Sequence, residues 1–174
     1  MTDYDWRMPK LQRLRDDHAQ AVLAFESANR SYFSTSISDR GDEYFANFAE
    51  QHNAQVVEQD SGSCIYHVLV NDDGTVLGRF NLFEIHGATA NVGYRVAREV
   101  TGRGVATEAV QELCRLALTD YGLQRLRAAV THENIASQKV LAKTGFVPDG
   151  PAEPGGRPGT WYQRVLSDHR TDVH

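Results

Sequence analysis

The 174-residue sequence predicts a single mixed α/β (α+β) domain, and three observations carry the prediction. The length matches one domain, ~100–150 residues being usual. Hydrophobic residues make up 41% of the chain, enough for a core. Segments of period-two patterning alternate with segments of helical period. Their order is strand, two helices, three strands, then helix, strand, helix, strand, so hairpins come first and helix crossovers later.

Taken in order, "WRMPKLQRLR" reads as a first strand interrupted early by Pro9. "DDHAQAVLAFESANRSYF" opens on Asp16 or Asp17 as N-cap, and Val22, Phe25 and Ala28 then recur at helical spacing. "DRGDEYFANFAEQHNAQ" is a second helix with Tyr44, Phe45 and Phe48 on one side. "CIYHVLVN" and "VLGRFNLFEI" flank the tight turn "DDGT" and form a hairpin. "GATANVGYRVA" follows as a strand with Ala90, Val92, Tyr94 and Val96 on one face. A long helix carries Val105, Ala109, Leu113 and Leu116 in one stripe, and Gly122 ends it. "LQRLRAAVT" is a strand. "NIASQKVLAKTG" is a short helix starting at or just before Asn134 and closed by Gly145. "GPAEPGGRPG" reads as a loop and "TWYQRVL" as a last strand. About four helices thus flank the sheet, and a polar tail spans about 168–174.

Lys and Arg number 18 against 23 Asp and Glu, a net charge of −5 that speaks against general nucleic-acid binding. No apolar run approaches the ~20 residues of a membrane span. The N-terminal "MTDYDWRMPK" has no signal-peptide h-region. Cys64 and Cys114 fit no metal spacing and read as reduced thiols of a cytoplasmic protein. The seven histidines form no ligand pair, so no metal site is expected.

The stretch "TGRGVATEAVQELC" is the most informative. A helix N-terminus offers unpaired N–H groups and partial positive charge. Glycines before it let the backbone approach a ligand closely. Gly102 and Gly104 therefore build an anion site, Arg103 adds a full charge, and the small Val105-Ala106-Thr107 leaves the amides open. A loop whose glycines serve only a turn is the alternative. The Walker pattern is absent. The dinucleotide fingerprint fails at Thr107, and the loop follows a hairpin instead of lying in a first βαβ unit.

From Ala90 to Phe146 the chain resembles the GNAT acyltransferase superfamily, most of all its RimJ/RimL-type N-terminal acetyltransferases. "ANVGYRV" resembles the branch's A-E-[IL]-G-Y strand. "TGRGVATEAV" resembles its pyrophosphate loop, G-[KR]-G-x-[AG]-T-E-A. "NIASQKVLAKTGF" resembles its N-x-x-S-x-x-[VL]-x-x-[KR]-x-G-F motif. The resemblance implies a single acetyltransferase domain over residues 1–174, with a mixed, mostly antiparallel sheet splayed mid-sheet. It implies acetyl-coenzyme A as co-substrate. The pantetheine arm would lie in the splay beside Val96, the pyrophosphate on the amides from Gly102 through Thr107, Asn134 beside the arm and Ser137 near the thiol. Three positions depart from the pattern. Thr101 stands where the loop often has Gln or Arg, and Asn91 where the branch usually has Glu. Leu141 replaces the Tyr that protonates the thiolate in other branches, which leaves Ser137 as candidate donor.

The implied reaction is direct attack of an amine on the thioester, with an N–H near Val96 on the developing oxyanion. Glu84 is the first candidate base, because phase with Phe80 and Leu82 turns it inward, where partial burial would raise its pKa. Glu133, Asp149 and Glu153 are its rivals. The expected acceptor is a protein N-terminal α-amine of ribosomal-protein type. A small amine (antibiotic, polyamine or amino acid) and a non-catalytic coenzyme A-binding module are the alternatives. A monomer or homodimer, without nucleic-acid or membrane partners, is the expected assembly.

Overall fold

The computed structural model describes residues 8–167, so the tail from 168 and the start of the first expected strand lie outside the described residues. Among the described residues seven strands form one sheet in the order β1-β2-β3-β4-β5-β7-β6. They are β1 (Lys10–Arg13), β2 (Ile65–Val70), β3 (Val76–His86), β4 (Thr89–Val96), β5 (Arg125–Thr131), β6 (Val147–Ala152) and β7 (Gly159–Val165). Every adjacent pair is antiparallel except β4 and β5, which run parallel. That parallel step is made by the crossover helix α5 (Val105–Thr119).

Both early helices break where an asparagine interrupts the pattern. The first becomes α1 (Ala19–Ala28) and α2 (Arg30–Phe33) around Asn29, the second α3 (Asp42–Ala46) and α4 (Phe48–Glu58) around Asn47. Neither Asp16 nor Asp17 caps α1. A 3-10 turn at Asp16–His18 precedes it, and the Arg15 N–H donates to His18 Nδ1 at 3.0 Å. The last crossover helix, α6 (Ile135–Lys143), has Asn134 as N-cap, its side chain accepting from the Ser137 N–H at 3.1 Å. The expected loop after Phe146 is in part strand β6. Pro148 and Pro151 hide it from a period-two reading, and it survives as an edge strand that needs no N–H from either.

Cross-strand partners share a face, which assigns helices to the two sides of the sheet. Phe80 pairs with His67 and Tyr94. These side chains reach Tyr121 after α5 and Ser137 on α6. Arg79 pairs with Arg95 on the opposite face, where α1 and α4 lie. Two arginines side by side would repel. Glu26 of α1, 1% exposed, lies between them. Its carboxylate takes Arg79 at 3.0 Å, Arg40 at 3.2 Å and Arg95 at 3.3 Å. Burial alone would raise the Glu26 carboxyl, but the three guanidiniums outweigh it and hold it below its ordinary value. Val22, Phe80, Leu82, Leu113 and Leu126, each fully buried, form the centre of the core.

Candidate active site

The site begins with a fault in the sheet. Strands β4 and β5 pair only over Thr89–Asn91 and Arg125–Arg127, and then diverge. On its other edge β4 remains paired to β3 as far as Val96. The Ala97 N–H bonds to the Leu77 carbonyl at 2.8 Å. Alternation along the strand therefore turns the N–H and C=O of Val96 and Tyr94 toward β5, into the gap. A parallel neighbour would have used these groups. With β5 gone they are offered to a ligand.

A cavity of about 340 Å³ lies along the open edge of β4 at Tyr94–Val96, with α6 across it, and continues to the mouth of α5. It passes through the sheet, since Phe33 and Arg95 bound it from one face and Tyr94 and Val140 from the other. At its end lie Gly102 and Gly104, with φ of +76° at each. This left-handed conformation is open to glycine and strained for other residues. Gly104 is the N-cap of α5, with no side-chain capping bond. The N–H groups of Val105, Ala106 and Thr107 precede the first helical bond, which Glu108 makes to the Gly104 carbonyl at 3.1 Å. Lys139 and Lys143 of α6 stand across the same cavity. The sequence reading matched Lys143 to the [KR] position of the motif without giving it a role and did not single out Lys139, although i and i+4 spacing places both on one helix face with Ala136 and Val140. Arg103 is exposed in the loop turn.

A second cavity, about 220 Å³, lies on the β5 side between Val92–Tyr94, Ala128–Thr131 and the loop at Pro154, with Arg157 at its edge. Ser36, Ile37, Tyr94, Asn134 and Ser137 line both cavities. At this junction the Tyr94 and Ser137 hydroxyl oxygens are 2.8 Å apart. The Tyr94 ring stacks on Phe80, centroids 5.4 Å apart and planes 10° apart. Burial pushes its phenol up to about 12, the Ser137 hydrogen bond acting the other way.

Most of the expected cofactor residues thus meet in one place: Val96, Gly102, Gly104, Val105, Ala106, Thr107, Asn134 and Ser137 all line the larger cavity. Glu84 lies elsewhere. A bulge between Phe83 and His86 breaks the phase with Phe80 and Leu82. Glu84 adopts φ +48° there, is exposed, and accepts a 2.7 Å hydrogen bond from Asn91. The partial burial expected for it is therefore corrected. Its rivals Glu133, Asp149 and Glu153 are exposed as well, Glu133 beside Arg157 at 3.8 Å. Among the described residues no carboxylate lines either cavity. Charged side chains at the two walls are all cations: Arg95, Lys139, Lys143 and Arg157.

A splayed sheet, a glycine-bounded helix mouth and two cavities meeting at a hydroxyl pair suit a long phosphorylated thioester facing an acceptor. Residues 10–147 match the family model described as acetyltransferase (GNAT) domain. A probable N-acetyltransferase, YjcK, of Bacillus subtilis (strain 168) is 30% identical over 161 residues, covering 87% of this chain and 85% of that protein. The ribosomal-protein-S5-alanine acetyltransferase of Vibrio fischeri superposes with a TM-score of 0.86 at 19% identity, covering 97% of this chain and 98% of that one. The spermidine N-acetyltransferase of Vibrio cholerae, in complex with CoA and spermine, superposes with a TM-score of 0.76 at 18% identity, covering 91% and 96%. RimJ- and RimL-type ribosomal-protein acetyltransferases are among the structural neighbours. The chain belongs to the GNAT acetyltransferase family and is an N-acetyltransferase of that type.

Proposed function

We propose that the protein transfers acetyl from acetyl-coenzyme A to a protein N-terminal α-amine. The larger cavity takes the donor. Its phosphates meet the amides of Gly102 through Thr107, with Arg103, Lys139 and Lys143 as countercharge. The pantetheine arm runs along the open edge of β4 and is bonded at Val96, with Asn134 beside it. The acetyl group sits near Tyr94 and Ser137, and the smaller cavity takes the amine.

The observation that carries the choice of acceptor is the absence of lining carboxylates among the described residues. An α-amine of pKa ~7.7–8.0 is roughly one-third neutral at pH 7.5, whereas an alkyl amine of pKa ~10.4 is about 0.1% neutral. The first needs little from the enzyme to become a nucleophile. The second needs a base, and a polyamine also needs anionic partners for its other charges. This site offers cations instead. Glu84, exposed and hydrogen-bonded to Asn91, serves at most through intervening water.

The test is an acceptor panel followed by thiol release: short peptides with free α-amines, the same peptides N-blocked, and spermidine. The free peptides should exceed spermidine in kcat/KM by about 100-fold, and blocking should abolish transfer. The pH dependence of kcat/KM should follow the peptide's own amine. Spermidine outrunning every peptide would overturn the reading.

A further inference from the structure

We infer that Tyr94 and Ser137 form a hydroxyl relay that carries a proton from the attacking nitrogen to the departing sulfur. The inference rests on the acyl-transfer reading above and adds Tyr94 as a catalytic residue.

Three observations support it. The two hydroxyl oxygens lie 2.8 Å apart, so a proton on one is already shared with the other. Both residues line both cavities, which places the pair where nitrogen and sulfur meet. No carboxylate of the described residues lines either cavity, so the proton that must leave nitrogen has no ionised acceptor beside it. Chain neighbours give the direction. Ala136, Lys139 and Val140, beside Ser137 on α6, line the donor cavity. On β4, Val92 and Gly93 before Tyr94 line the acceptor cavity and Arg95 and Val96 after it line the donor cavity, so Tyr94 stands at the boundary, while the α6 neighbours of Ser137 line the donor cavity alone. Of the pair, serine therefore faces sulfur and tyrosine faces nitrogen.

The step balances without any further reactant. The amine lone pair forms the N–C bond while the carbonyl π pair moves to oxygen, leaving a positive nitrogen. As the C=O bond re-forms, the C–S bond breaks and its electron pair goes to sulfur. The nitrogen proton passes to Tyr94 Oη, the Tyr94 proton to Ser137 Oγ, and the Ser137 proton to sulfur. Amide and thiol result. Both hydroxyls are regenerated with their hydrogen bond reversed, and rotation of the two O–H groups resets them. Burial keeps the phenol protonated across the working range, as a relay of neutral hydroxyls requires.

The Phe80 stack holds the Tyr94 ring, so Tyr94→Phe removes the hydroxyl and retains the packing. The experiment compares Tyr94→Phe, Ser137→Ala and the double variant against wild type, using acetyl-coenzyme A and a peptide with a free α-amine. Melting temperature and acetyl-coenzyme A affinity are measured for each. Each single variant should lose about 10- to 100-fold in kcat, with donor Kd within about twofold of wild type. The double variant should fall no further than the worse single one, because one chain can be broken only once. An acetyl thioester of an acidic aryl thiol, whose sulfur leaves without a proton, should restore all three variants to within about threefold of wild type. Unchanged kcat in Tyr94→Phe, multiplicative losses in the double variant, or no rescue by the aryl thioester would each overturn the relay. Wild-type transfer to the peptide is read separately, so a failed relay and a failed acceptor assignment remain distinct results.

Discussion

His67 shows how a single buried group shapes the protein's response to pH. It is 1% exposed on β2, its Nδ1 3.1 Å from the Phe80 carbonyl oxygen and its Nε2 2.7 Å from the Tyr121 hydroxyl. Burial, aided by the nearby Arg13 charge, lowers its pKa from 6.5 to about 4, and the Phe80 hydrogen bond opposes the shift. The unfolded chain thus binds a proton near pH 6.5 that the native protein refuses until about pH 4. Stability is full above 6.5 and declines through that window, by about 3 kcal/mol in all. Glu26 adds a separate loss further down. Its carboxyl is held below its ordinary value, so its contribution is present above pH 4.5 and goes only as pH falls through the lowered value. Urea unfolding at half-unit steps from pH 7 to 4 should show the first decline. A His67→Gln variant should start less stable and have a flatter slope between 6.5 and 4. An unchanged slope in that variant would place the proton uptake on another group.

Elements whose signals are local were legible in the sequence, and those set by neighbours were not. Helix α6 was bounded correctly because Asn134 caps it and Gly145, at φ +84°, ends it, and both effects act within a few residues. The glycine loop was legible for the same reason. Strand β6 was hidden because its prolines are allowed only by its place at the sheet edge, a fact of tertiary order. Glu84 was misplaced because period two holds only while the register does, and the bulge after Phe83 broke it. Tyr94 was placed on one face of β4 with Ala90, Val92 and Val96, and the alternation is correct. Its link to Ser137 depends on how far β5 diverges, which no residue of β4 encodes. The loop–helix element yields a prediction of its own. A Cβ built on Gly104 meets nothing within 4 Å, so the cost of Gly104→Val comes from φ +76° and from bulk at the helix mouth, with no core clash. The strain is about 1–2 kcal/mol. The protein should therefore still fold, with acetyl-coenzyme A affinity reduced at least about tenfold by calorimetric titration. Unchanged affinity would mean that the phosphates do not use these amides.

At the scale of the whole molecule the splay is a weakness that the proposed donor repairs. Three residue pairs join β4 to β5, and beyond them the two strands face each other across the smaller cavity, while the larger one runs on along the open edge of β4 to α6. The first half carries β1 to β4 with α1 and α4. The second carries β5, β7 and β6, reached through α5. A ligand bonded to β4 on one side and packed against α6 on the other replaces the missing ladder, and it does so only in the native state. Mass action then fixes the size of the effect. At 100 times Kd the native state gains about 2.7 kcal/mol. For a chain of this size each kcal/mol raises Tm by roughly 2–4 °C, so saturating acetyl-coenzyme A should raise it by about 5–10 °C. Differential scanning calorimetry over a concentration series checks this, with a nicotinamide dinucleotide as control. The same series on Gly104→Val should need correspondingly more ligand for an equal shift. Amide exchange adds the location: β4 from Tyr94 to Val96 and α6 from Ala136 to Lys143 should gain protection, while the β1–β2 edge should not. A Tm rise with protection confined to the α5 loop would leave the phosphate site in place and remove the pantetheine arm from the open edge of β4.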